Sequence, residues 1–236
     1  MIDITGLLPA TIDWRQAVRI INTRYPPIDL FEDIADPEDW PLLISAEQKT
    51  NPRLVDDIGN LDLVPPGRRV GGAGASYLMA PFTHTSPDRP SRFSDGHLGV
   101  LHVANRFDVA LFETIHHHTR FMAATNEPAG RVTQFREIMM HVSATLSDLR
   151  PLDRANPIFA LDDYTAGQAL AARLRVQGSD GVVYPSMRFS GGECAGLFYP
   201  DCASAATQGR HLEYHWNGTR IDYYQDLGAR QVFRLD

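Results

Sequence analysis

The sequence contains little cysteine, a single lysine and no long apolar run. Its two cysteines, Cys194 and Cys202, are too few for a disulfide framework, and no metal-ligand spacing surrounds them, although a disulfide between the two stays open. The net charge is −7, and the 22 Lys and Arg residues form no basic run. We therefore expect no direct contact with nucleic acid, which binds clustered positive charge.

Signals for membrane segments and for the common nucleotide-binding folds are also missing. No segment approaches the roughly 18 apolar residues of a membrane-spanning helix, and the N-terminal stretch lacks the basic and apolar parts of a signal peptide. Neither G-x-G-x-x-G nor G-x-x-x-x-G-K-[ST] occurs, so a Rossmann domain and a P-loop are not supported. We expect a cytoplasmic protein that does not associate with membranes.

Length and composition suit one α/β or α+β domain with an N-terminal extension. A chain of 236 residues with 43% hydrophobic residues can bury a sizeable core. Two proline-containing segments, after Pro26-Pro27 and at Asp36–Asp39, each precede apolar residues at helical spacing and predict two helices. We therefore divide the chain into an N-terminal helical extension (1–70) and a core domain (71–236).

The best-supported local prediction is a helix that begins near Asn105. Asn105 is a favourable N-cap, Asp108 follows in the first turn, and apolar residues then recur at helical spacing from Phe107 to Ile115. Glu113 lies at the border of this apolar stripe, where its carboxylate is partly desolvated. Such a carboxylate either reaches water, pairs with an arginine or serves a function.

The remaining chain alternates signals for strands, loops and helices. Residues 83–97, which include Arg92, are polar and rich in Pro and Ser, and loops of this kind often carry function. Ser186 stands at the end of an apolar run. We predict strands at Ala75–Phe82, Leu98–Val103, Gly181–Pro185 and Cys194–Tyr199, mixed strand and loop at Thr133–Leu149, a helix at Ala166–Val176 and a hairpin around Asn217-Gly218.

Two further chemical interpretations are weak. His116, His117 and His118 are consecutive, and neighbouring positions on a helix point about 100° apart, so the three rings cannot all reach one metal ion. We expect no metal. Ser186 lies in Tyr-Pro-Ser-Met without the glycines of a G-x-S-x-G elbow, which disfavours a Ser-His-Asp hydrolase.

Three residues far apart in the sequence resemble the signature of a known family. Arg92 lies in Ser-Arg-Phe-Ser, Glu113 lies in Ala-Leu-Phe-Glu-Thr on the predicted helix, and Ser186 ends Val-Tyr-Pro-Ser before a Gly-Gly turn. In order and spacing, these motifs resemble the RES-domain family, which is named for an Arg, a Glu and a Ser. Flanking stretches match over nearly the whole chain, which resembles the long form of the family.

The resemblance implies an ADP-ribosyltransferase-like α+β fold, a mixed split β core flanked by helices, that takes NAD+ as its substrate. A carboxylate can stabilise the oxocarbenium character that develops on the ribose, and a guanidinium can bind the pyrophosphate. The implied catalytic residues are Glu113, Arg92 and Ser186, and the implied NAD-binding residues are Arg92, His102, Ser186, Tyr77 and Tyr164.

One residue departs from the family pattern. His102 stands where the family usually carries a Tyr, ten residues after the Arg and eleven before the Glu. An imidazole is smaller than a phenol ring and titrates near neutrality, so the exchange bears on the rate and on the acceptor. We expect Tyr77 and Tyr164 to supply part of the missing aromatic surface.

The resemblance further implies a toxin of a RES–Xre toxin–antitoxin module, whose partner is an Xre-type antitoxin protein. The activity implied first is NAD+ degradation, in which water or phosphate takes the ADP-ribose. Two alternatives stay open, namely ADP-ribosylation of a protein target and a non-catalytic binding module. The sequence also leaves open whether the chain forms a homo-oligomer.

Overall fold

The computed structural model of the protein describes residues 6–25, 29–32, 37–40, 42, 45 and 58–235. The strands are β1 (Pro9–Asn22), β2 (Leu101–Ala104), β3 (Arg131–Asp148), β4 (Gly181–Pro185), β5 (Glu193–Leu197), β6 (Ala203–Trp216), β7 (Ile221–Asp226) and β8 (Gln231–Arg234). The α-helices are α1 (Asp29–Glu32), α2 (Ala75–Thr83), α3 (Phe107–Ala123) and α4 (Thr165–Val176). Among these described residues, no helix is both long enough and apolar enough to span a bilayer.

The eight strands form one mixed sheet in the order β1-β2-β5-β4-β3-β6-β7-β8. Strands β3 and β4 run parallel over a short stretch, and the other neighbours are antiparallel. Because β1 also pairs with β3, the strands β1, β2, β5, β4 and β3 close into a circuit. The predicted α+β class, a mixed sheet flanked by helices, is confirmed.

The N-terminal part of the chain differs from the prediction, because residues 9–22 form a strand of the central sheet. Strand β1 makes twelve residue pairs with β3, interrupted by a register shift between Trp14 and Ala17. The helical extension is therefore not observed over this segment, whereas α1 lies in the segment after Pro26-Pro27 that the sequence predicts as helical. Parts of the two predicted helices lie outside the described residues. Apolar and polar residues alternate in Ile12-Asp13-Trp14 and in Val18-Arg19-Ile20, and this period of two indicates the strand.

The predicted strand at Ala75–Phe82 is also wrong, because this segment is helix α2. A contact from the N-terminal part of the chain favours the helix. The carboxylate of Glu32 accepts hydrogen bonds from the backbone N–H groups of Gly74 and Ser76, at 2.9 and 3.2 Å. These bonds satisfy donors at the start of the helix, as a cap does.

Helix α3 is where the sequence predicts it, but it begins one residue later. Its N-cap is Arg106, and Asp108 lies in the first turn as expected. The side chain of Asn105 instead accepts a hydrogen bond from the backbone N–H of Glu193 at 3.2 Å, and the Asn105 N–H bonds the Glu193 carbonyl oxygen. Asn105 thus joins the end of β2 to β5 immediately before α3, which fixes the direction in which the helix leaves the sheet.

Two hydrophobic clusters pack against the sheet. On β2, Leu101 and Val103 belong to the cluster that includes α2, whereas Ala104 belongs to the cluster that includes α3 and α4. On β4, Val183 belongs to the first of these and Tyr184 to the second. This alternation is the period of two expected for strands that are buried on both faces.

The remaining elements follow the sequence closely. Helix α4 and strand β4 match their predicted ranges, and β5 covers the first part of its range. Strands β6 and β7 form the predicted hairpin, with Gly218 at φ +99° in the turn. The segment predicted as mixed strand and loop is instead the single strand β3, because it pairs with β1 on one side and with β6 on the other.

Candidate active site

A cavity opens where β1 and β2 separate. The two strands pair only at Val18 and Ala104. Consecutive residues of each strand line the cavity, so it lies at the parting strand edges rather than above one face of the sheet. Its volume is about 560 Å³, within the range typical of small-molecule sites. The lining residues comprise 18–20 of β1, 102–104 of β2, 90–92 of the preceding loop, 110, 113, 114, 117 and 120 of α3, and 162, 164, 184 and 194.

Glu113 enters the cavity from α3. Leu111 and Ile115 on the same helix are buried in the core, and this packing turns Glu113 toward the cavity. Its Oε1 atom accepts a hydrogen bond from the Ser186 hydroxyl at 2.7 Å. The Cys194 thiol lies 4.0 Å from the same oxygen, and burial raises the pKa of this thiol, so it stays protonated. The Glu113 carboxylate is therefore held in place by Ser186, which is not part of the cavity lining.

Ser186 supports Glu113 and does not line the cavity. It is fully buried at the end of β4. Its oxygen accepts hydrogen bonds from the backbone N–H groups of Arg188 and Phe189, at 3.2 and 3.1 Å, while its proton goes to Glu113. The hydroxyl is thus fully engaged within the protein. The structure therefore places Ser186 beside Glu113 and outside the cavity lining, and its contact with the ribose or nicotinamide stays a prediction.

Arg92 lines the cavity but also holds a neighbouring loop. Its side chain is 8% exposed, and Nη1 donates hydrogen bonds to the carbonyl oxygens of Ile158 and Ala160, at 2.9 and 2.8 Å. The guanidinium lies over the ring of Tyr164, 5.0 Å from its centroid. Arg92 therefore fixes the segment that precedes α4, and part of the donor capacity predicted for the pyrophosphate is used inside the protein.

The packing of α4 against Arg92 depends on a glycine. A Cβ atom at residue 167 would overlap the backbone carbonyl oxygen of Arg92 and lie 3.3 Å from its Cγ. Gln168, the next residue, donates hydrogen bonds to the carbonyl oxygens of Ser91 and Ser94, at 3.0 and 3.2 Å. The loop that carries Arg92 is thus fixed by close contact and by hydrogen bonds from one helix.

His102 lies on the cavity wall with both ring nitrogens near hydroxyl groups. Nε2 is 3.0 Å from the Ser91 hydroxyl oxygen, and Nδ1 is 3.4 Å from the Tyr184 hydroxyl oxygen. Burial lowers the pKa of His102 to about 3, and the charges of Arg19 and Arg92 add to this effect. The imidazole is therefore neutral at physiological pH.

Of the two tyrosines predicted at the site, only Tyr164 is there. Tyr164 lines the cavity and contacts the Arg92 guanidinium. Tyr77, in contrast to the prediction, does not line this cavity. Its segment folds as α2 rather than as a strand, and its side chain packs against the hydrophobic cluster of that helix, outside the cavity lining.

Arg19 is a site residue that the sequence interpretation missed. It lies on β1 and lines the cavity, and burial lowers its pKa to about 10, so it stays charged at neutral pH. Its Nη1 atom is buried and has no hydrogen-bond partner among the described residues. A buried guanidinium nitrogen without a partner is costly unless a ligand satisfies it. The alternating pattern of β1 is the signal that would have directed attention to Arg19.

The charged residues of the lining give the cavity a local excess of positive charge. Three arginines, Arg19, Arg92 and Arg120, face two acids, Glu113 and Asp162, in a chain of net charge −7. Arg120 and Asp162 form an ion pair of 3.0 Å, with side chains 49% and 74% exposed. The charge that remains for a ligand is therefore that of the less exposed Arg19, Arg92 and Glu113. An anionic ligand suits this arrangement.

The three consecutive histidines face different surroundings. His117 lines the cavity, whereas His118 is buried against Phe135 and Tyr214. Over the described part of the chain, no group of three or more His, Cys, Asp and Glu side chains has an arrangement suited to a metal ion.

The chain is similar to known proteins in sequence and in structure. The chain is 28% identical over 206 residues to a protein of Sinorhizobium fredii (strain NBRC 101917 / NGR234) named "Uncharacterized protein y4oC", covering 86% of this chain and 84% of that protein. A chain in the crystal structure of the M. tuberculosis MbcT–MbcA toxin–antitoxin complex aligns at 12% identity, with 87% of each chain covered and a TM-score of 0.43.

A family model gives the assignment. The model of the RES domain matches residues 66–217, well over half of the chain. This range includes the three residues whose motifs carry the resemblance, Arg92, Glu113 and Ser186, and two of these line the cavity while the third bonds Glu113. The protein belongs to the RES domain family.

Proposed function

We propose that this protein is the toxin of a RES–Xre type toxin–antitoxin module and that it degrades NAD+ by cleaving the nicotinamide–ribose bond. The observation that supports this most directly is the placement of a supported carboxylate, Glu113, in the same cavity as two poorly exposed guanidinium groups, Arg19 and Arg92. NAD+ combines an anionic pyrophosphate with a ribose that becomes cationic as the bond breaks, and each feature has a counterpart in this cavity.

The reaction assigns a role to Glu113. As the C1′–N bond breaks, its electron pair leaves with nicotinamide, and positive charge develops on C1′ and the ring oxygen of the ribose. A carboxylate fixed beside this carbon stabilises the charge without having to reorganise. Water or phosphate then forms a bond to C1′, and with water the proton released passes to Glu113 or to solvent. Because Ser186 donates to Glu113, it keeps the carboxylate oriented throughout.

In this proposal the two guanidinium groups, Arg19 and Arg92, lie near the pyrophosphate of the substrate. Arg19 has a buried Nη1 atom without a partner among the described residues, and a phosphate oxygen would satisfy it with a charge-assisted hydrogen bond. Arg92 is anchored to the carbonyl oxygens of Ile158 and Ala160. In this proposal Arg19 binds the pyrophosphate directly, and Arg92 shapes the adjoining wall while adding positive potential.

The biological role follows from family membership. Members of the RES family are commonly toxins, and an Xre-type antitoxin protein is the partner that we propose for this chain. A toxin that consumes NAD+ acts where that dinucleotide is abundant, so we propose a cytoplasmic location. Direct contact with nucleic acid is not part of the proposal, because the chain is acidic overall.

The decisive experiment measures nicotinamide release from NAD+ by purified protein, with and without inorganic phosphate. We expect release by the wild type and a decrease in kcat of about 100-fold or more for Glu113→Gln, because the amide cannot stabilise the cation. Glu127→Gln, an exposed residue outside the cavity, is the matched control and should be unaffected. Turnover that is unchanged in Glu113→Gln would contradict the proposed mechanism.

The same assay separates the alternatives. ADP-ribose as the product indicates hydrolysis, and ADP-ribose that carries a phosphate on this same C1′ indicates phosphorolysis. If the purified protein releases no nicotinamide but labelled NAD+ in a lysate modifies a discrete protein band, the activity is ADP-ribosylation of a protein. If neither occurs and NAD+ still binds, the chain is a binding module.

A further inference from the structure

We propose that His102 is a neutral hydrogen-bond relay. Its ring accepts a hydrogen bond from the Tyr184 hydroxyl and donates one to the Ser91 oxygen, which turns the Ser91 hydroxyl toward the cavity as a donor to the ligand. This inference rests on the proposed function for the identity of the ligand, but not for the relay itself. It gives a role to the residue at which this chain departs from the usual family pattern.

The relay begins with two contacts of one ring. The Nδ1 and Nε2 atoms of His102 lie 3.4 Å from the Tyr184 hydroxyl and 3.0 Å from the Ser91 hydroxyl. A neutral imidazole carries a proton on one nitrogen only, so one contact must be accepted by the ring and the other donated by it. The direction of the relay therefore follows from the role of either hydroxyl.

Tyr184 fixes that direction. Its side chain is 6% exposed, and burial raises its pKa well above the usual value, so the phenol keeps its proton. The Tyr184 hydroxyl lies 3.4 Å from Nδ1 of His102, and an imidazole nitrogen is a better acceptor than the neighbouring Cys194 thiol. The phenol therefore donates to Nδ1 of His102, and the ring proton is on Nε2, where it is donated to the oxygen of Ser91.

Ser91 then has a proton that no group of this relay uses. Its oxygen accepts from His102, and the residue lines the cavity, so the hydroxyl proton is available to an acceptor on the ligand. The backbone of Ser91 is well fixed, because its N–H bonds the Ser94 carbonyl oxygen at 2.7 Å and its carbonyl accepts from Gln168. The chemical class recognised is an acceptor oxygen, such as one of a ribose hydroxyl, a phosphate or a carboxamide.

The surroundings of His102 keep the relay neutral. Arg19 of β1 and Arg92 of the loop contribute positive potential to the ring, His117 of α3 adds to it only when protonated, and Tyr184 of β4 offers a neutral phenol. A protonated ring would donate from both nitrogens and would force the Tyr184 phenol to accept. His102 is therefore a positioning residue that acts through Ser91, and it is not an acid or base in the reaction.

The first test does not involve NAD+. Two-bond ¹H–¹⁵N correlation spectra distinguish the tautomers of each histidine, and the His102 signals are assigned by their loss in His102→Gln. We expect His102 to be neutral with its proton on Nε2 from pH 8 to pH 5, with the Nδ1 signal shifted by Tyr184→Phe and the Nε2 signal shifted by Ser91→Ala. A proton on Nδ1, or a charged ring at pH 6, overturns the relay.

The second test measures NAD+ affinity by calorimetry in a Glu113→Gln background, so that NAD+ is not consumed. Ser91→Ala and His102→Phe should each weaken binding by about tenfold, the usual size of one lost hydrogen bond. The double variant should bind no more weakly than either single variant, and His102→Gln, which keeps a donor near Ser91, should recover most of the affinity. Additive losses overturn the relay. If the wild type releases no nicotinamide and the Glu113→Gln parent binds no NAD+, the proposed function is contradicted instead, and the tautomer spectra still decide the relay.

Discussion

The two sides of the cavity differ in how their polar groups are bonded. On the side formed by α3 and the end of β4, the polar groups bond one another, whereas on the side formed by β1 a guanidinium nitrogen has no hydrogen-bond partner among the described residues. Glu113 accepts from Ser186, whose oxygen is in turn bonded by two backbone N–H groups. Arg19 has a buried nitrogen without a partner among the described residues. The first arrangement holds the Glu113 carboxylate in place without a ligand, and the second leaves on Arg19 a donor that the proposed ligand would use.

Replacing Ser186 tests the fixed side and should have the largest effect. Ser186→Ala removes the donor to Glu113 and leaves two buried N–H groups without their acceptor. We expect kcat for nicotinamide release to fall by about 100-fold and the free energy of unfolding to fall by about 1–3 kcal/mol. Ser190→Ala, an exposed serine on the same turn, is the control for both rate and stability. Wild-type kcat in Ser186→Ala would show that Glu113 needs no support.

Replacing Arg19 tests the β1 side of the cavity. We expect it to weaken NAD+ binding without lowering stability. Arg19→Met removes the anion partner, so KM for NAD+ should rise by about 10- to 100-fold, the usual range for a lost charge-assisted hydrogen bond. Thermal stability without ligand should stay unchanged or increase, because an unsatisfied buried charge is removed. Arg15→Met, an exposed arginine on the same strand, is the matched control. A loss of stability without a change in KM would assign Arg19 to the fold.

A third change alters the wall between the two sides. Gly167→Ala places a methyl group against the Arg92 carbonyl oxygen, which the backbone of α4 can avoid only by moving away. We expect a loss of about 1–3 kcal/mol of unfolding free energy, together with weaker NAD+ binding, as measured by thermal denaturation and calorimetry. Gly67→Ala, where a Cβ meets no atom within 4 Å, should change neither quantity.

The smallest expected effect concerns a histidine that belongs to neither side. His118 is buried among Phe121, Phe135 and Tyr214, and burial lowers its pKa to about 4. Below about pH 6.5 the unfolded chain takes up a proton that the folded protein does not, so stability falls as the pH falls from 6.5 toward 4.

His118→Phe should remove this loss, which amounts to at most about 2 kcal/mol at pH 5, and should leave activity at pH 7.5 unchanged. Denaturation measured at pH 7.5 and at pH 5 provides the check. An equal pH dependence in the variant and the wild type would mean that His118 is already charged in the folded protein.

The parts of the fold set by local pattern could be predicted from the sequence. Helix α3 has an apolar stripe and an acidic first turn, and the β6–β7 hairpin has an Asn-Gly turn, so both were expected close to where they occur. The apolar run at Ala75–Phe82 carries no such distinction, since a short run of this kind fits a helix or a buried strand. What favours the helix is the carboxylate of Glu32, a contact across more than forty residues that no local window includes.

The candidate site, too, could be predicted from the sequence only in part. The motifs of Arg92, Glu113 and Ser186 were found by resemblance, and the structure brings them together. Their individual roles depend on partners that the sequence does not reveal, namely the carbonyl oxygens that engage Arg92 and the backbone N–H groups that engage Ser186. Arg19 was missed because β1 was assigned to a helical extension, although its alternating residues indicate a strand.

The meeting of β1 and β2 at a single residue pair has a mechanical consequence. A molecule that occupies the cavity touches both strands and so couples them more extensively than their own backbones do. Strand β1 is joined to β3 along twelve residue pairs, and β3 is joined to β6. We therefore expect an occupied cavity to hold β1 and β2 together more firmly than an empty one, and to restrain through β1 the strands that follow it in the sheet.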